Sequence, residues 1–205
     1  MTPRATAMAP EDRRQAILDV LVPILVEKGG DVSTRELARA AGIAEGTIFR
    51  VFPDKRSLML AAVEETINPA AAQADFDVAV AGAEGLRAQV VVVTARVLDR
   101  MRLTMSVMFA VRRHLGSHEE LHHHDKKHFG PPQFVLDAQA ELHRRLTGIF
   151  EAHRDELAVE PEVAAVALRS LIFGASRPEL GMTTALSADQ IADLLLSGVA
   201  TRGEK

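Results

Sequence analysis

Apolar residues in this chain recur every three to four positions, and almost nowhere do they alternate one by one with polar residues. That period is the signature of helices packed along one stripe, so the pattern predicts an all-α protein with no sheet. A first helix over 10–28 presents Ile17, Leu18, Leu21, Ile24 and Leu25 on one face. Pro10 suits its first turn and Gly29-Gly30 its end, whereas Pro23 predicts a kink or an early break. Ser33 with Glu36 three residues later spells a capping box, and Val32 with Leu37 a hydrophobic staple, so a second helix starts at Thr34 and stops near Ala40. Gly42 supplies a tight turn and Ile43 returns to the core. A third helix covers 45–52, ended by Pro53; Asp54 caps a fourth that runs to Asn68-Pro69.

The stretch 70–85, "AAAQADFDVAVAGAEG", is small and turn-rich and predicts a loose connection. Helices are expected beyond it at 86–100, 101–114, 132–157, 161–175 and 188–201. This divides the chain into a domain 1–68 and a larger helical domain 69–205. With 205 residues and 47% hydrophobic content there is ample core for both. The absence of cysteine excludes disulfides and thiolate metal sites and suits a reducing cytoplasm. The opening "MTPRATAMAPEDRRQ" lacks the apolar centre of a secretion signal, and runs such as "LVPILV" are far too short to span a bilayer, so no membrane association is expected. The net charge of −4 gives no bulk signal for nucleic acid, and any such reading rests on local placement.

That placement is found in "STRELARAAGIAEGTIFRVFPDK". Two short helices joined by a glycine turn form a helix-turn-helix. In the second, Ile48, Val51 and Phe52 share a stripe that packs on Leu37, Ala38 and Ile43, which stabilises a helix too short to persist alone. The opposite side presents Glu45, Gly46, Thr47, Phe49 and Arg50, as a helix entering a major groove does. Gly46 permits close backbone approach. Thr47 suits a phosphate or a thymine methyl, Arg50 a guanine or a phosphate, and Lys55 a phosphate at the start of the next helix.

The ordered landmarks "EKGG", "STRELARAAGI", "GTIF" and "F" followed by "DK", within 13–63, resemble the N-terminal domain of the TetR family of transcriptional regulators. The resemblance implies phosphate contacts from Thr34, Thr47 and Lys55 and an approach to bases by Arg35, Glu45 and Arg50. It implies a homodimer on a palindromic operator in double-stranded DNA, with the reading helices about 34 Å apart. Two departures stand out: Phe49 where the family often has Tyr, and Ala44 where it often has a capping Ser.

Beyond residue 63 the family shares architecture alone. Met101, Met105, Met108 and Phe109 form an adaptable apolar stripe, which is either plain core or the wall of an effector pocket with Arg112, Arg113 or His143 as polar anchors. Most of the eight histidines fall between His114 and His128, and His118/His122 and His124/His128 have chelating helical spacing. "PEVAAVALRSLIFGAS" is apolar almost all round, and Val163, Ala167, Leu171 and Gly174 with Ile191, Leu194, Leu195 and Gly198 predict a four-helix dimer interface. No "HExxH" or paired carboxylate supports an enzyme. The expectation is therefore a repressor released by a small, mostly apolar effector, without cofactor or resident metal. A metal-responsive regulator using the His114–His128 cluster, or a ligand-binding module with a weakened DNA head, are the alternatives.

Overall fold

A computed structural model of the chain describes residues 9–29, 32–67, 70–115, 131–175 and 185–199. All regular structure among these residues is helical, as the periodicity requires. In chain order the helices are α1 (Pro10–Lys28), α2 (Thr34–Ala40), α3 (Glu45–Val51), α4 (Lys55–Ile67), α5 (Ala70–Ala81), α6 (Gly85–Leu115), α7 (Gln133–Ala152), α8 (Pro161–Ala175) and α9 (Ala188–Val199), with a 3-10 turn at Arg154–Glu156.

α1 has the bounds read from the sequence and runs through Pro23 without an early break. Three boundaries depart from the sequence reading. The stretch expected to be a loose connection is α5: its alanines favour helix strongly, and the glycines that suggested a turn come only at Gly82 and Gly85. The two helices expected on either side of Arg100 are one helix of 31 residues, since no glycine, proline or cap interrupts the junction. Finally, α7 stops at Ala152, where His153 leaves helical geometry (φ −122°, ψ 28°).

The described residues pack as two compact units. The first joins α1–α4 with α6 from Leu103 onward, so its core takes in residues well beyond 68. Ile17, Leu18, Leu21 and Leu25 of α1 meet Leu37, Ala38, Ile48, Phe52, Leu58 and Met59, and Val107, Ala110 and Val111 close the cluster. Thr104 donates its hydroxyl to the Thr66 carbonyl at 3.2 Å.

The second unit joins α5 and the first part of α6 with α7, α8 and α9. Val90, Val93 and Val97 pack with Leu146, Phe150, Leu168, Ile172, Ile191 and Leu195. Arg145 ties α5 to α7: it pairs with Asp77 and Glu141 and lies over the Phe76 ring at 5.5 Å. Hydrogen bonds from Arg144 and then Arg145 bring the Glu141 carboxyl down to about 2. A carboxylate depressed on folding stabilises above its unfolded value, and that contribution is lost as pH falls toward the folded value. Glu141→Gln is therefore expected to lower stability near neutrality and flatten the acid limb between about pH 4.5 and 2, read from urea melts across pH. An unchanged acid limb would show that solvent screens the pair completely.

Candidate nucleic-acid interface

α2 begins with the full capping box. The Glu36 N–H donates to Ser33 Oγ at 3.2 Å, and the Ser33 N–H donates to the Glu36 carboxylate at 3.0 Å. The Ser33 N–H, the Ser33 hydroxyl donating to the same carboxylate at 2.8 Å, and Lys28 3.7 Å away hold the Glu36 carboxyl below its usual value. α2 ends through Ala41 N–H to Leu37 O (2.9 Å) and Gly42 N–H to Arg39 O (3.2 Å). Gly42 has φ 65°, a left-handed conformation that a side chain disfavours, and no atom lies within 4 Å of where its Cβ would be. The reason for glycine there is backbone geometry, not space. Ile43 then donates to Ala38 O at 2.9 Å and turns the chain into α3.

α3 has seven residues, short of what an isolated helix needs. Its support comes from Ile48, 0% exposed, and from Phe52, which caps its end in extended geometry as the residue before Pro53 should. Arg14 of α1 lies 5.6 Å over the Phe52 ring. At the start of α4, Asp54 accepts from Ser57 N–H at 2.6 Å, which lowers its carboxyl below the ordinary range. The start of α3 has no such bond, because Ala44 offers no side-chain acceptor. Ala44→Ser is expected to raise stability by about 1 kcal/mol, a gain of roughly 2–4 °C in Tm measurable by calorimetry. No gain would mean that the adjoining turn already satisfies those N–H groups.

With its inner side buried, α3 turns Gly46, Phe49 and Arg50 to solvent, and Phe49 remains 45% exposed. A Cβ on Gly46 would meet nothing within 4 Å, so that side of the helix is open. Thr47 is half-buried, and its N–H donates to Ala44 O at 2.8 Å. Arg35 is exposed on α2. Two of the residues associated with phosphate are turned to internal partners: Thr34 donates its hydroxyl to Glu45, and Lys55 Nζ donates to Val32 O at 2.8 Å. Neither bond has a local sequence signal, since the partners lie 11 and 23 positions apart.

The remaining candidates are placed as follows. Met101 packs against the second core, Met105 and Met108 are half-buried, Phe109 is 58% exposed and Arg112 is exposed. His143 has Nε2 3.7 Å from Glu162, while its Nδ1 is buried with no partner among the described residues, as is the Thr94 hydroxyl. Sequence reading passed over Thr94, though it falls among valines on the buried stripe of α6. On α8 and α9, Val163 and Leu194 are more than half exposed, Gly174 and Gly198 are exposed, Ala167 and Leu171 are half-buried, and Ile191 and Leu195 lie inside the core. Val166, 45% exposed, joins Val163 and was missed, although it is one helical step away. His118, His122, His124 and His128 lie outside the described residues; among the described residues no group of three or more His, Asp or Glu is placed to hold a metal. No helix among them is long and apolar enough to cross a membrane.

Residues 17–62 match the family model described as bacterial regulatory proteins, tetR family. The nucleoid occlusion factor SlmA of Actinobacillus pleuropneumoniae serotype 5b (strain L20) is 38% identical over 56 residues, which is 26% of this chain and 28% of that protein. SlmA of Haemophilus ducreyi (strain 35000HP / ATCC 700724) matches to the same extent, so the chain spans little more than a quarter of the length of these relatives. Among solved structures, a protein from Saccharomonospora viridis proposed to be a transcriptional regulator, in complex with choline, aligns with TM-score 0.62 and 17% identity, covering 94% of this chain and 100% of that one. The transcriptional regulator FadR from Bacillus subtilis, in complex with stearoyl-CoA, aligns with TM-score 0.58 and 14% identity, covering 90% and 98%. At these identities the structures show a shared fold. None of the four is named as an enzyme.

Proposed function

Because residues 17–62 form a TetR-family domain within a chain that has the fold of such regulators throughout, we propose that it represses transcription by binding a palindromic operator as a homodimer and leaves the DNA when a small, mostly apolar effector binds. One observation carries the proposal. A seven-residue helix is fixed by a buried Ile48 and Phe52 so that Gly46, Phe49 and Arg50 stand outward on one open side. A backbone without a Cβ, a flat ring and a guanidinium together suit close approach to a major groove, where Arg50 meets guanine or phosphate. Pairing is supported by Val163, Val166 and Leu194, apolar side chains left exposed on α8 and α9. Effector binding is supported by relatives in fold that hold choline and stearoyl-CoA, and by polar atoms of Thr94 and His143 that have no hydrogen-bond partner among the described residues. The site of action would be the cytoplasm, where the DNA is.

Footprinting on duplex DNA upstream of neighbouring genes tests the reading. A protected palindrome whose affinity falls steeply with salt is expected, because cationic contacts to phosphates release counterions. No protection at any salt concentration would favour the reading as a ligand-binding module whose DNA head is weakened at Ala44 and Phe49.

A further inference from the structure

A threonine hydroxyl has one proton to donate, and in this structure Thr34 gives it to the Glu45 carboxylate. While that bond stands, the hydroxyl cannot also donate to a phosphate. A carboxylate is acceptor-only and is repelled by phosphate, so Glu45, half-buried on the reading helix, needs a donor on a base edge. The major groove offers two: the amino groups of cytosine and adenine. Adenine carries an acceptor nitrogen beside its amino group that opposes a second carboxylate oxygen, whereas cytosine carries none. The geometry points to Glu45 as a reader of cytosine and to Thr34 as the positioning residue that aims it, not as a phosphate contact. The bond joins α2 to α3 across 11 residues and so ties the direction of the carboxylate to the supporting helix.

This inference rests on the DNA-binding reading, and one experiment separates the two. The full chain and the Thr34→Val, Thr34→Ser and Glu45→Gln variants are each used to select from a randomised duplex library, with melting temperatures as a check on folding. The unaltered chain is expected to enrich a palindrome with a C·G pair at one position in each half-site. Thr34→Val relaxes that position by roughly tenfold and leaves preferences elsewhere unchanged, whereas Thr34→Ser restores it. Glu45→Gln, which keeps an acceptor for Thr34 but adds a donor, shifts the same position toward adenine. A Thr34→Val preference matrix identical to that of the unaltered chain overturns the inference and leaves the reading intact, whether overall affinity falls or holds. Failure of the unaltered chain to enrich any sequence removes the reading and the inference together.

Discussion

Replacing Ile48 by Ala removes about 2–5 kcal/mol of stability, because a fully buried side chain leaves a cavity that its neighbours fill only in part. Ile48 is 0% exposed and sits in one cluster with Leu37, Ala38 and Phe52. It is the main anchor of a helix that cannot persist unaided. The expected result is a fall in Tm of very roughly 5–15 °C together with loss of operator binding. Phe49→Ala is the matched control. Its ring is 45% exposed and contributes little to folding, so stability stays within about 0.5 kcal/mol while DNA affinity falls. Urea denaturation followed by circular dichroism, paired with DNA titration, measures both variants. If the two lose equal stability, the division of α3 into a supporting and a reading side is wrong.

Leu194→Glu is expected to leave the fold intact and to abolish pairing. The side chain is 56% exposed on α9, so a carboxylate there is solvated in a single chain. In the proposed dimer the same residue would meet an apolar surface across a two-fold axis, and the symmetry that repeats one favourable contact would also repeat the penalty. Desolvating one unpaired carboxylate costs several kcal/mol, and an isologous interface holds two of them. Gel filtration at micromolar concentration should show a dimer for the unaltered chain and a monomer for the variant, with operator affinity down by at least a hundredfold. A dimer that survives the change would move the interface away from the exposed side of α8 and α9.

The helix-turn-helix was legible because its signals are local and agree with one another. The Ser33–Glu36 box, Gly42, Pro53 and the Asp54 cap each act within three or four residues, and the structure forms every one. Reading failed where composition was weighed without geometry. Alanine-rich α5 was passed over for the glycines beyond it, and a break was expected in α6 where no residue enforces one. The Met101–Phe109 stripe has the spacing of one helix face, yet Met101 packs in the second core and Phe109 is mostly exposed, because a helix this long meets different neighbours along its length. Thr34–Glu45 and Lys55–Val32 join residues whose proximity exists only after the turn has formed, so no periodicity could reveal them.

Arg145 gives α5 an ionic attachment where most helices here rely on buried aliphatics. Its guanidinium meets Asp77, Glu141 and the Phe76 ring, and Phe76 and Val80 add a modest apolar footing. Such a rivet loosens with ionic strength while the aliphatic core does not. In concentrated salt, α5, which contains no Lys or Arg, should therefore be the first helix of its unit to be cut by a broad-specificity protease, long before the chain as a whole melts.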